Sequence, residues 1–130
     1  MDKLIREALE TFPNFVVVDN AGRVVYLTDG YAKLLGTTKG TAFGKSVEDV
    51  IPGTRLHTVL KTGEAEIGSV MSLFDHSQNC EIAVVCNRIP IRKSGKVIGA
   101  LAVTILDDLS EVNELHKEVK RIKYENQQYK

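Results

Sequence analysis

The sequence predicts an α+β domain in which a five-stranded antiparallel sheet carries short helices on one face, between an N-terminal amphipathic helix and a C-terminal coiled-coil helix. Three observations predict it. Apolar residues recur at strand spacing in two short segments before residue 28 and three longer ones after Gly63. The links between the late strands are too short for a crossover, so those strands must be antiparallel neighbours. At both ends of the chain the apolar spacing changes to steps of three and four, the period of a helix.

Residues 1–12 place Leu4, Ile5, Ala8, Leu9 and Phe12 in one stripe, with Lys3, Arg6, Glu7 and Glu10 opposite, and Pro13 ends the helix. Residues 13–107 form the core domain. Phe15-Val16-Val17-Val18 and Arg23-Val24-Val25-Tyr26-Leu27 flank the turn Asp19-Asn20-Ala21-Gly22, which makes a hairpin. Asp29 is expected to cap a short helix that ends at Gly36. Loops and short helical turns follow, and Pro52 is expected to open a helix through Leu56, Val59 and Leu60 that closes at Gly63. The strands 65–74, 80–92 and 96–106 come next. The last two are apolar on both parities, so both sheet faces should be covered, one by the short helices and one by the N-terminal helix or a dimer partner. Residues 108–130 then place Val112, Leu115, Val119, Ile122 and Asn126 at the a/d spacing of a parallel two-stranded coiled coil, with Asn126 at a register-setting a position.

Composition excludes several functions. Seventeen Lys and Arg balance seventeen Asp and Glu, a formal net charge of zero, whereas a nucleic-acid grip leaves a basic surplus. Direct nucleic-acid binding is therefore not expected. No apolar run reaches the roughly 18 residues of a membrane helix, and a cytoplasmic location is expected. Cys80 and Cys86 would lie roughly 20 Å apart along one strand, beyond disulfide reach, so both are expected as reduced, partly buried thiols. His57, His76 and His116 share no metal-ligand spacing, and no metal site is expected. No Gly-x-Ser-x-Gly elbow or comparable nucleophile motif is present, so no catalytic residue is assigned and the chain is not expected to be an enzyme.

The hairpin Val18–Tyr26, the helix Asp29–Gly36, the segment Gly44–Val50 and the junction Asp108-Leu109-Ser110-Glu111 resemble, in order, the motifs of a PAS sensory domain over residues 1–115. A narrower likeness runs through Ile51–His57, Leu60–Gly63, Glu66-Ile67-Gly68, Asn87–Ile91 and Gly95–Ala100. These segments are similar to the PAS domain that precedes the ATPase in sigma-54-dependent transcriptional activators. That resemblance implies an input domain that binds a small ligand or partner and controls a covalently linked output, an AAA+ ATPase with a helix-turn-helix domain. A histidine kinase or diguanylate cyclase output, or a ligand-free dimerisation module, is the alternative. The 108–130 heptads break off at Lys130 and hold no GxxxxGK[ST] phosphate loop, so a longer protein is expected. Asp108 and Ser110 are the expected relay from sheet to helix. Haem and flavin are disfavoured: His57 stands beside the apolar stripe of its helix, and no cysteine falls on a helix. An unidentified small molecule remains as the expected ligand, and a homodimer as the expected assembly.

Asn87 and Arg88 interrupt an otherwise apolar strand, and alternation sends one toward the helices and the other away. Whichever points inward is the candidate ligand contact, beside the small Gly99, Ala100 and Ala102 and a lining of Tyr26, Tyr31, Phe43, Met71 and Phe74. An inward Arg88 stays charged and demands an anion, expected from Asp49, Glu48 or a carboxylate or phosphate ligand.

Overall fold

A computed structural model describes residues 2–12 and 14–104. Phe15–Asp19 (β1) and Val24–Leu27 (β2) form the hairpin. The Asp19 carboxylate closes its turn, with Oδ1 accepting from the N–H groups of Ala21 and Arg23 at 2.9 and 3.0 Å. Gly22 adopts φ +78° there beneath the His57 ring, where a Cβ would come within 2.5 Å of Cε1.

Glu66–Asp75 (β3), Cys80–Lys93 (β4) and Lys96–Thr104 (β5) complete the antiparallel sheet, in the order β2-β1-β5-β4-β3. Lys93 pairs with Lys96 around Ser94-Gly95, whose φ values of 52° and 79° make the two-residue turn that matches strand twist. Bringing β1 and β5 together depends on Gly99, since a Cβ there would lie 2.5 Å from the Val18 carbonyl oxygen.

The helices are Lys3–Glu10 (α1), Asp29–Leu34 (α2), Lys39–Ala42 (α3), Val47–Val50 (α4) and Leu56–Thr62 (α5). Two helix starts differ from expectation. Pro52 sits in a turn and α5 begins only at Leu56, because Gly53 at φ +83° leaves the helical region. Thr28, not Asp29, is the N-cap of α2, and its Oγ1 accepts from the Phe15 N–H at 3.1 Å. Gly63 closes α5 in the left-handed conformation, as expected.

The core lies between one sheet face and α2–α5: Val16, Val18, Val84 and Ala100 pack with Tyr31, Val47, Leu56 and Val59. Across the other face Tyr26, Val17, Leu101 and Ile89 stand directly opposite one another on successive strands. Within one chain α1 does not cover that face. None of its residues is buried, and Leu4 and Ile5 are 73% and 51% exposed. Cys86 is buried, but Cys80, at the start of β4, is exposed and not the partly buried thiol expected. The coil positions Val112, Leu115, Val119, Ile122 and Asn126, the relay residues Asp108 and Ser110, and His116 lie outside the described residues.

Candidate functional site on the inner sheet face

Register decides which polar residue of β4 points inward. Arg88 stands opposite Ala102 of β5, and Ala102 opposite the buried Val16 of β1, so Arg88 shares the face of the core. It is 1% exposed. Asn87 is opposite Val103 and points away. Its Oδ1 accepts from the Gly68 N–H at 2.8 Å, which holds the irregular start of β3, where Gly68 adopts φ +66°. Asn87 is therefore structural and Arg88 is the inward group.

The anion that answers Arg88 is Glu66, directly opposite it on β3, and not Asp49 or Glu48. Arg88 Nη1 donates to Glu66 Oε1 at 3.2 Å, and Nη2 donates to Met71 Sδ at 3.0 Å. Arg55, just before α5, also grips Glu66: Nε reaches both carboxylate oxygens at 2.9 Å and Nη2 reaches Oε2 at 2.8 Å. The Arg55 hydrogen bonds are the main reason the Glu66 carboxyl is held below its ordinary range. Glu48 faces His57 instead, 3.7 Å from Nε2.

A short polar chain continues inward. Cys86 Sγ lies 3.5 Å from Thr104 Oγ1, and both side chains are buried. Tyr31 joins them; burial, chiefly, pushes its phenol well above the ordinary range, so it stays a neutral donor. Arg88, Met71, Tyr31 and Ala102 are thus brought together with Glu66, Cys86 and Thr104. The other proposed lining residues are not. Tyr26 stands opposite Val17 on the outer face, because an irregularity between Val17 and Val18 fixes the β2 register. Phe43 is 66% exposed at the end of α3, beside Val25, Tyr26 and Lys39, since α3 is too short to carry it over the core. Phe74, three residues past the inward Met71, falls on the opposite parity; it is exposed and packs its ring edge-on to His76 at 4.8 Å.

A second cluster joins residues too far apart in the chain for any local pattern to mark it. Glu10 Oε1 accepts from Lys39 Nζ at 2.6 Å and from the Asp29 N–H at 3.3 Å, and Lys39 lies 5.1 Å from the centre of the Tyr26 ring. Burial alone would raise the Glu10 carboxyl, but the Lys39 and Asp29 hydrogen bonds outweigh it and hold it below its ordinary value. Its Oε2 and the Tyr26 hydroxyl are sealed from solvent, and the nearby Glu10 carboxylate adds to the burial that raises the Tyr26 phenol. With the Phe12 ring on Phe15 at 5.4 Å, this clasp ties α1 to the domain. Among the described residues no group of His, Cys, Asp or Glu side chains could hold a metal ion, and no helix is long and apolar enough to cross a membrane.

This architecture, short helices packed on one face of a five-stranded antiparallel sheet, is that of the PAS fold. A model of the PAS fold matches residues 3–107, and the chain belongs to that family. It is 29% identical, over 105 residues, to a protein of Halalkalibacterium halodurans described as a probable C4-dicarboxylate sensor kinase. That match takes in 80% of this chain and 18% of the relative, so the chain spans less than a fifth of the relative's length. The fold is shared with the PAS domain of Bordetella pertussis BvgS, with a TM-score of 0.61 and 22% identity over 94% of this chain and 96% of that one. An RNA-binding light-oxygen-voltage receptor gives a TM-score of 0.72 at 17% identity, over 97% of this chain and 37% of that one.

Proposed function

We propose that this chain is the sensory input domain of a larger cytoplasmic regulator, non-catalytic itself, that binds a small molecule or partner at the inner sheet face. The single observation that carries the reading is Arg88. A buried ion pair is often no more stabilising than apolar residues of the same size. A fully charged guanidinium in the core is thus poorly accounted for by stability, and suits a group whose partner can change. A change there reaches Ala102 and Thr104 on β5, whose chain continues toward Asp108 and Ser110, the proposed relay. From the relay a parallel coil through 109–130 joins two copies and drives the attached output. The described kinase relative supports a histidine-kinase output; the motif likeness supports a sigma-54-dependent ATPase with a helix-turn-helix domain. Flavin and haem are not part of the reading.

A second reading is favoured by the closure of Arg88 onto Glu66 and Met71: a filled core that serves only to dimerise. The two separate in the full-length protein carrying Arg88→Gln or Thr104→Val. An input domain changes its output several-fold while the dimer measured by sedimentation stays intact. Output that follows the dimer alone, unmoved by either substitution, leaves the dimerisation reading.

A further inference from the structure

Resting on the reading of the inner face as a ligand seat, we propose that Glu66 is a built-in stand-in for the ligand, and that the ligand is a small carboxylate which takes its place on Arg88. Charge balance points there first. Two guanidiniums, Arg55 and Arg88, converge on one carboxylate, and the buried one has the poorer share. Arg55 holds Glu66 through three contacts of 2.8–2.9 Å, while Arg88 receives one oxygen at 3.2 Å. The second Arg88 nitrogen is left with a thioether, a weak acceptor where a carboxylate would offer a second strong oxygen. A second carboxylate is what this network lacks.

The strand also permits the exchange. Glu66 begins β3, the edge strand, and the register breaks between it and Ser69. Gly68 sits in that break at φ +66° with open space around it, and Ile67 is 67% exposed, so the strand end before the Asn87–Gly68 hydrogen bond can shift without unpacking the core. If Glu66 moves outward with Arg55 it keeps its three best contacts and surrenders one long bond. The incoming carboxylate then meets Arg88 and Met71, with only the Ala102 methyl opposite on β5. Both guanidiniums end with a carboxylate of their own.

The test is binding of acetate and succinate to the full chain at constant ionic strength, by calorimetry and thermal shift, with acetamide as the uncharged isostere. Glu66→Gln removes the internal competitor and should bind at least about tenfold more tightly than the natural sequence. Arg55→Gln leaves Glu66 free to settle on Arg88 and should weaken binding severalfold. Glu66→Ala, with its stand-in gone, should regain melting temperature with acetate and not with acetamide. Folded Glu66→Gln that binds neither acid at tens of millimolar overturns the proposal. So do equal affinities, within twofold, for the natural sequence, Glu66→Gln and Arg55→Gln. Either result leaves the output changes expected of Arg88→Gln and Thr104→Val standing, so loss of the ligand class is distinguishable from loss of the input-domain reading.

Discussion

At the scale of single residues, the Glu66 network is unequal in a way that stability measurements can read. Removing Glu66 strands Arg88, which is 1% exposed, without its carboxylate, and breaking a buried pair from that side costs about 3–5 kcal/mol. Removing Arg88 leaves Glu66 in the grip of Arg55 and partly solvated, at 23% side-chain exposure. Arg88→Met also keeps the apolar stem. Urea unfolding should therefore find Glu66→Ala the more damaging by about 2 kcal/mol or more, and equal losses would contradict the register that puts Arg88 inside. Gly36 offers a second reading at this scale. It adopts φ +73°, and a Cβ there would come within 2.7 Å of the His76 ring. Gly36→Ala should cost about 1–2 kcal/mol from the backbone alone, plus the displacement of His76. In a His76→Ala background the steric part should vanish and the backbone part persist.

At the scale of elements, α1 is the least anchored piece of the described chain. Its apolar stripe is exposed, and it is fastened by the Glu10 clasp and the Phe12–Phe15 contact. Glu10→Gln should loosen it, costing about 1 kcal/mol and raising protease cleavage within residues 2–12 before the core unfolds. The pH dependence has a defined sign. Glu10 titrates below its ordinary value of 4.5 in the folded state, so the clasp stabilises fully above that value and is lost as the pH falls through the lowered one. The melting-temperature gap between the natural sequence and Glu10→Gln should be widest near neutrality and close as the pH falls through the lowered value. A gap that persists once the carboxyl is protonated would assign the stabilisation to packing instead.

At the scale of the whole molecule, the uncovered outer face, the exposed α1 stripe and the heptads of 109–130 belong to one proposal, a parallel homodimer. Val119→Asp with Ile122→Asp should weaken the dimer by at least tenfold in equilibrium sedimentation without moving the melting temperature of the domain. A natural sequence that stays monomeric at high concentration would end the proposal. In that proposal the coil of 108–130 begins a few residues after β5, whose inner face carries Ala102 and Thr104, so a shift at Arg88 would have a short route along the chain to the seam between the two copies.

Much of this was legible in the sequence because it is written in local rules. Period-two alternation, Gly-bearing turns and the short 94–95 link dictate five antiparallel strands, and the ordered motifs place them in the PAS family. Local rules also confined the polar anomaly of β4 to Asn87 and Arg88. They could not choose between the two, because alternation is symmetric until burial breaks it. Nor could they find Glu66. It lies 22 residues from Arg88, across a register that the irregularity at Gly68 sets, so its opposition exists only once β3 and β4 are paired. Tyr26, Phe43 and Phe74 misled for the same reason: aromatic character marks a residue as able to line a cavity, while strand register and helix length decide which surface it meets. The clasp joining Glu10, Lys39 and Tyr26 likewise belongs to the tertiary structure, because an ion pair between residues 29 apart has no sequence period to announce it.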